Sequence, residues 1–318
     1  MSSRIPTPKD VMPRLRPPAD QLLLARMEQM DGGLYRLALD NYTLEQANLG
    51  FNPDDFPVSG GVRGGAARQI LRAALLGQPE EYPPRDVDVM QAGWMTVSSE
   101  ARWQLDDFAR QLAPNDYKNG YGVDGVCDPE KYMKEQDFTM NQLLACKEEN
   151  GQWSLYTTER AVCDTANNTI RPTLYEFDRD EDYRLSVKLA LKAVRLLSEL
   201  QVDGAENASI RGINLKEADN LHHDAADDYF MQILQLDKAL ETGYNVAEQY
   251  LRNLRRYKLY PDCTASGSPG RVYESLQQEV DFCMSEGAKE ALLRGQVEEP
   301  RPAPLTCKIG EVATIRVK

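Results

Sequence analysis

Apolar residues recur at helical spacing in three long segments of the chain and alternate with acids in one short segment. The helical segments are AARQILRAALLG at 66–77, SSEARWQLDDFARQL at 98–112 and VAEQYLRNLRRYKL at 246–259. The alternating segment is DVDV at 86–89. Because side chains alternate along a strand, Asp86 and Asp88 are predicted to share one face while the two valines enter a core.

Weaker patterns fill in the remaining elements. Residues 1–18 contain five prolines and no apolar periodicity, which indicates an extended arm. The patterns predict short helices at 19–30 and 34–48, a strand within 120–128, a final helix near 272–294 and an edge-strand-like tail. No apolar run is long enough to cross a membrane.

The overall charge narrows the classes of function. The 318 residues carry a formal net charge of −13, which argues against a protein that coats nucleic acid through bulk electrostatics. Any nucleic-acid binding therefore needs local basic patches. The six cysteines are scattered without a CxxC pair, and the N-terminus lacks the apolar centre of a signal peptide. Both features predict a cytoplasmic protein with reduced thiols.

The first candidate site combines a glycine-rich turn with two acids. Gly64 and Gly65 directly precede the helix predicted at 66–77, so free backbone N–H groups and the helix dipole favour a phosphate there. The strand that carries Asp86 and Asp88 follows that helix. Two neighbouring carboxylates repel each other, and a divalent cation commonly relieves this repulsion. A phosphate site beside a paired-acid metal site indicates nucleotide chemistry.

Three ordered blocks resemble the class II tRNA nucleotidyltransferases (CCA-adding enzymes) and bacterial poly(A) polymerases, within the polymerase β-like superfamily. The first block is Gly64-Gly65-x-x-Arg68, an apolar helix ending at Gly77, and the Asp-x-Asp pair. The second, DFTMN at 137–141, is similar to an RRDFTxNAL element that opens a helix near the nucleotide. The third resembles a short strand pair at 161–171 and the helix entering the neck domain, at 177–197.

The sequence departs from the family pattern at three positions: Gln69 replaces an aspartate, and Glu135 and Gln136 replace the two arginines of the second block. The replacement of the two arginines removes positive charge where a triphosphate would lie.

The resemblance implies an α+β fold: an N-terminal arm and short helices (1–50), a mixed-sheet head domain (51–175), a helical neck and body (176–296) and a tail (297–318). It implies template-independent transfer of nucleoside monophosphates, from ATP and in CCA addition also CTP, to an RNA 3′ end, with tRNA the expected acceptor.

The resemblance also assigns roles to individual residues. Asp86 and Asp88 would hold two Mg²⁺ ions. Asp124 is the candidate third carboxylate, with Asp128 the second choice, and a solvated turn is an equally good interpretation of both. The residues expected to bind the nucleotide are Gly64, Gly65, Arg68, Asp137 and Asn141, and those expected to read the base are Asp182 and Arg184.

Two basic groups are candidates for RNA binding. Lys188, Lys192 and Arg195 continue a stripe from Arg184 along one predicted helix, which is either a solvated face or a phosphate-binding face. The second group, at the end of the 246–259 helix, is the better candidate and contains Arg252, Arg255, Arg256 and Lys258. Two alternatives remain open: a degenerate family member that binds RNA or a partner without catalysis, and a transferase with a non-RNA acceptor.

Overall fold

A mixed seven-stranded sheet with helices packed against it precedes a part made largely of packed helices. The computed structural model describes residues 18–77, 83–84, 86–95, 99–112, 123–173, 187–213, 215, 225–259, 267–278 and 281. The predicted α+β class is confirmed.

The sheet contains seven strands, named in chain order: β1 (Glu28–Gln29), β2 (Leu34–Ala38), β3 (Gly60–Arg63), β4 (Asp88–Ala92), β5 (Asp124–Val126), β6 (Leu143–Lys147) and β7 (Trp153–Thr158). Their spatial order is β1-β2-β7-β6-β3-β4-β5. Only β4 and β5 run parallel to each other within this sheet, and the other neighbours are antiparallel. A separate parallel pair joins β8 (Thr169–Ile170) to β9 (Ser209–Ile210).

The helices with defined bounds are α1 (Ala19–Leu24), α2 (Asn41–Gln46), α3 (Gly64–Leu76), α4 (Ser99–Leu112), α5 (Pro129–Lys134), α6 (Glu159–Ala166), α7 (Val187–Val202), α8 (Ala225–Thr242) and α9 (Tyr244–Tyr257). Residues 269–278 are also helical. Within the described ranges, no helix has the length and apolarity needed to cross a membrane.

Apolar side chains cover both faces of the sheet. On one face, Val62 and Val89 join Ile70 of α3 in the largest buried cluster. On the other face, Met90 packs with Met133 of α5. Helix α3 therefore lies against one face and α5 against the other. Burial of the valines on the first face leaves the acids of the 86–89 segment on the opposite face, as the alternation predicts.

The helical part has its own core and is tied to the sheet-containing part. Apolar residues of α7, α8, α9 and the 269–278 helix form one buried cluster. A second cluster joins Phe138 and Met140, which follow α5, to Leu189 and Ala193 of α7. An ion pair between Arg72 of α3 and Asp203 also links the two parts. Helix α7 thus packs against the loop that follows α5 in the sheet-containing part.

Three local predictions are wrong. Residues 34–48 form β2 and the short helix α2 instead of one helix, because the apolar residues of 34–38 pair with β7. The helix predicted to begin at 137–141 is instead a 3-10 turn at Thr139–Asn141 followed by β6. Both faces of β6 are buried, so its sequence is a continuous apolar run without strand alternation. Most of the supposed strand pair at 161–171 is helix α6, followed by β8.

Candidate active site

The turn between β3 and α3 brings a glycine pair against two acids. Gly64 has φ of +61°, and a Cβ added to it would lie 2.6 Å from Oδ2 of Asp88. A Cβ on Gly65 would lie 3.9 Å from Oδ1 of Asp86. Asp88 also stands opposite Arg63 in the β3–β4 pairing. The structure therefore places both predicted acids beside the predicted phosphate-binding turn.

The N-terminus of α3 lies at this site and lacks a side-chain cap. Its N-cap residue, Arg63, makes no side-chain capping hydrogen bond. The backbone N–H groups of a helix's first turn have no partners within the helix, and they carry partial positive charge. These donors, at Gly64 and Gly65, are therefore suited to a phosphate.

Arg68 lies one turn into α3 and points toward the same place. A Cβ on Gly65 would lie 4.0 Å from one terminal nitrogen of the Arg68 guanidinium, about as far as from Asp86. The other terminal nitrogen donates to Oδ1 of Asn141 at 2.9 Å. Burial lowers the pKa of Arg68, and nearby Glu199 opposes that effect. A guanidinium remains charged in proteins, so Arg68 is a fixed cation beside the turn.

The second motif block is hydrogen-bonded to Arg68 and to α7. Asn141 donates through Nδ2 to Oδ1 of Asp137 at 2.7 Å, and Asp137 forms an ion pair with Lys192. Burial opposes ionisation of Asp137, but Lys192, Asn141 and the Phe138 N–H outweigh it, so the pKa of Asp137 is lowered. Arg68, Asn141, Asp137 and Lys192 form one chain of polar contacts, which we call the polar relay.

The third block is joined to the second through a buried carboxylate. Thr139 Oγ1 donates to Asp164 at 2.7 Å, and Arg171 Nε donates to the same oxygen at 2.9 Å. Asp164 is 4% exposed, so these contacts replace the water it has lost. Asp164 therefore has a structural role: it fixes the turn that carries Asn141.

The two candidates for a third carboxylate have different surroundings. Asp124 lies on β5, directly beside β4, and its carboxylate pairs with Arg63. Asp128 instead caps α5, accepting from the Lys131 N–H at 3.1 Å. Among the residues that the structure describes, no three acids, histidines or cysteines form a group suited to a metal ion.

Asp86 and Asp88 nevertheless fit Mg²⁺. Both side chains are exposed, and both offer hard oxygen donors. Mg²⁺ usually keeps several waters and binds one or two carboxylates together with substrate phosphates. A pair of acids beside a phosphate-binding turn meets that requirement without a third protein ligand.

The predicted basic stripe on α7 is not a continuous exposed surface, and the assignment of Arg195 to it is wrong. Arg195 is 6% exposed; it pairs with Glu199 and donates to Gln235 of α8 at 2.9 Å. Lys192 belongs to the polar relay, whereas Lys188 is exposed. Helical spacing aligned these cations correctly, but it did not show that α8 covers one end of the stripe.

The basic cluster at the end of α9 is exposed. Its members are Arg252, Arg255, Arg256 and Lys258, and Arg252 pairs with Glu248 on the same helix. Tyr257, in the same turn, packs against both the helical core and the cluster that contains Phe138. The basic cluster therefore lies close to the contact between α9 and α7. Asp182 and Arg184, predicted to read the base, lie outside the described residues.

Sequence reasoning missed Arg63 and Tyr132. Arg63 ends β3 and pairs with Asp124, and Tyr132 of α5 lies close enough to Arg63 and Asp88 to sense their charges. Burial raises the pKa of Tyr132, so it stays a neutral phenol. Alternation along β3 offered the signal for Arg63, since Val62 is buried on the opposite face.

No protein-family model and no curated protein matches this sequence. Among solved structures, the chain resembles the Thermotoga maritima CCA-adding enzyme complexed with tRNA, at 13% identity and a TM-score of 0.41, over 87% of this chain and 74% of that one. A CCA-adding enzyme in complex with ATP has 15% identity and a TM-score of 0.31, over 81% and 57% of the respective chains.

Proposed function

We propose that this chain is a nucleotidyltransferase that adds nucleoside monophosphates from an NTP to an RNA 3′ end. ATP is the first candidate donor, CTP the second, and tRNA the expected acceptor. The observation that carries the proposal is the position of Asp86 and Asp88 around the Gly64–Gly65 turn at the start of α3. Two acids that could hold a metal ion thus lie against backbone N–H groups that could bind a phosphate.

Each group at the turn has a distinct task. The N–H groups of Gly64 and Gly65 would donate to phosphate oxygens, and Arg68 would add a charge-assisted hydrogen bond. Asp86 and Asp88 would hold Mg²⁺, and such an ion would lower the pKa of an attacking hydroxyl and offset the charge of the leaving pyrophosphate. Asp124 would either complete the acid set or hold Arg63 beside the triphosphate.

The reaction requires positioning more than a dedicated base. The acceptor's 3′-oxygen bonds to the α-phosphorus as the bond from that phosphorus to the bridging oxygen of the β-phosphate breaks. Pyrophosphate leaves, and the hydroxyl proton passes to solvent. Phosphoryl transfer depends mainly on alignment and charge stabilisation, which suits a site of two acids, backbone donors and one guanidinium.

A second candidate function is binding without catalysis, or transfer to a non-RNA acceptor. Its support lies in the positions that replace the family's two arginines. Glu135 ends α5 and pairs with Lys131, and Gln136 donates to the Tyr132 carbonyl at 3.1 Å. Both side chains therefore interact with residues near the C-terminal end of α5. Retention of both acids at the turn favours the catalytic proposal over binding alone.

The test is incubation of the purified protein with Mg²⁺, each labelled NTP and tRNA transcripts lacking CCA, CC or A, beside an unrelated RNA. We expect extension by the wild type and none by Asp86→Ala or Asp88→Ala. The nucleotide incorporated distinguishes CCA repair from A-tailing. A folded wild-type protein that extends no RNA would refute the RNA-transferase proposal.

Two further variants separate catalytic acids from structural ones. Asp128→Ala is the matched control, because it removes a nearby acid that caps α5. It should lower stability by about 1 kcal/mol, as the loss of an N-cap does, and should leave extension intact. Asp124→Asn tests the third carboxylate: a loss as deep as that of Asp88→Ala would place it among the metal ligands.

A further inference from the structure

The polar relay crosses from the sheet-containing part to the helical part. It begins at Arg68 on α3, passes through Asn141 and Asp137 in the loop after α5, and ends at Lys192 on α7. Its two ends come from elements that are more than a hundred residues apart in the sequence. Any effect of Lys192 on the turn must therefore pass through folded contacts.

The amide of Asn141 is oriented by its two neighbours. Its oxygen accepts from the Arg68 guanidinium at 2.9 Å, and its nitrogen donates to the Asp137 carboxylate at 2.7 Å. The reverse orientation would set two donors against each other and two acceptors against each other. Asn141 is only 6% exposed, so water cannot easily replace either partner.

The carboxylate of Asp137 is already committed within the protein. One oxygen accepts from Asn141 and from the Phe138 N–H at 2.9 Å, and the other pairs with Lys192. An anion here would repel a triphosphate rather than bind it. Lys192 offsets that charge, and pairing with Asp137 occupies the ammonium that sequence analysis assigned to RNA.

The relay also sets the direction of the Arg68 guanidinium. One terminal nitrogen is held by Asn141, while the other lies toward Gly65 and Asp86. Apolar packing of Phe138 and Met140 against Leu189 of α7 holds the loop and the helix together around the relay. Substitution of Lys192 is therefore expected to change the orientation of the Arg68 guanidinium.

From this geometry we infer that Lys192 is a positioning residue of the nucleotide site. Acting through Asp137 and Asn141, it fixes Arg68 beside the phosphate-binding turn. The inference rests on the proposed function. It replaces the assignments of Lys192 to RNA and of Asp137 and Asn141 to direct nucleotide contact.

The experiment measures the affinity of the full chain for Mg²⁺-ATP without RNA, so that turnover is not needed. Lys192→Met should weaken ATP binding about tenfold. This is the lower end of the loss of metal affinity caused by removing a residue that orients a ligating side chain. Lys192→Arg, which keeps the ion pair with Asp137, should recover most of the affinity. Lys134→Met is the control, since it removes an exposed lysine that pairs with Glu130 and should leave ATP affinity unchanged.

A double variant tests whether the effect passes through Arg68. In an Arg68→Met background, Lys192→Met should have no further effect on ATP affinity, because no guanidinium remains to be oriented. Equal losses in both backgrounds would overturn the inference. So would a Lys192→Met variant that binds ATP normally but shows a shallower salt dependence of RNA binding, the result expected of an RNA contact.

These outcomes separate the inference from the proposed function. If the folded wild-type protein binds neither Mg²⁺-ATP nor Mg²⁺-CTP, the proposed function fails, and the inference fails with it. If the wild type binds ATP and Lys192→Met binds it equally well, only the inference fails. Denaturation midpoints of all variants identify any variant whose loss of affinity reflects misfolding. If Lys192→Met is misfolded, the ATP affinity of Lys192→Arg decides whether the inference holds.

Discussion

Replacing Gly64 with alanine tests the close approach of β4 to the turn. Gly64 has a φ of +61°, and its added Cβ would lie 2.6 Å from Oδ2 of Asp88. That oxygen would have to retreat about 0.8 Å to reach the ordinary van der Waals distance of 3.4 Å. Because the obstructing atom ends a flexible side chain, Asp88 can rotate away without disrupting the strand.

The expected cost therefore divides between stability and activity. A non-glycine residue at positive φ costs about 1–2 kcal/mol of folding free energy. A displacement near 1 Å in a catalytic group can cost on the order of 100-fold in rate. We expect Gly64→Ala to fold with modestly reduced stability and to lose most Mg²⁺-dependent nucleotide transfer.

Gly77 supplies the matched control at the other end of α3. Its φ is +60°, and a Cβ there would meet nothing within 4 Å. Gly77→Ala therefore imposes the same backbone strain without touching Asp88. Chemical denaturation should give similar losses of stability for the two variants, and the transfer assay should separate them. Equal transfer rates in Gly64→Ala and Gly77→Ala would refute the placement of Asp88 beside the turn.

Three further predictions concern charged groups. The lowered pKa of Asp137 stabilises the fold above the unfolded value, about 3.9, and this contribution is lost as pH falls through the native value. Denaturation midpoints of the wild type should therefore fall more between pH 5 and pH 3 than those of Asp137→Asn, and parallel curves would contradict the Lys192 pairing. Removing Mg²⁺ with EDTA should weaken ATP binding, because Asp86 and Asp88 then repel the triphosphate; unchanged affinity would argue against a metal there. Arg256→Glu should weaken RNA binding and make its salt dependence shallower, with ATP affinity unchanged; an unaltered slope would remove α9 from the RNA surface.

The sequence alone predicted the elements whose signals are local. Alternation at 86–89 placed two acids on the face opposite a pair of core-packed valines, and α3 ends before Gly77, which takes a left-handed conformation as a C-terminal glycine commonly does. The order of the three motif blocks also led to residues that are hydrogen-bonded to one another in the fold.

The features that sequence did not predict depended on contacts between residues that are far apart in the sequence. Residues 34–38 carry no strand signal of their own that outweighs a helix, and pairing with β7 decides their conformation. The Arg68–Asn141 hydrogen bond spans 73 residues, so no local pattern could reveal it. Arg195 looked like part of an exposed stripe because helical spacing says which cations are aligned but not which neighbouring helix covers them.

On the proposed function, the arrangement of charge would also explain how an acidic protein can hold a polyanion. Two cations, one beside the turn and one at the far end of the polar relay, are already neutralised: Arg63 by Asp124, and Lys192 by Asp137. Attraction of a triphosphate would then fall to the N–H groups of α3, to Arg68 and to an ion that the two acids would hold. These groups act only at short range and in fixed directions, so an overall negative charge would oppose loose binding of nucleic acid while a correctly placed phosphate chain would still be accepted. Selectivity for the bound geometry would then follow from the same ion pairs that neutralise Arg63 and Lys192.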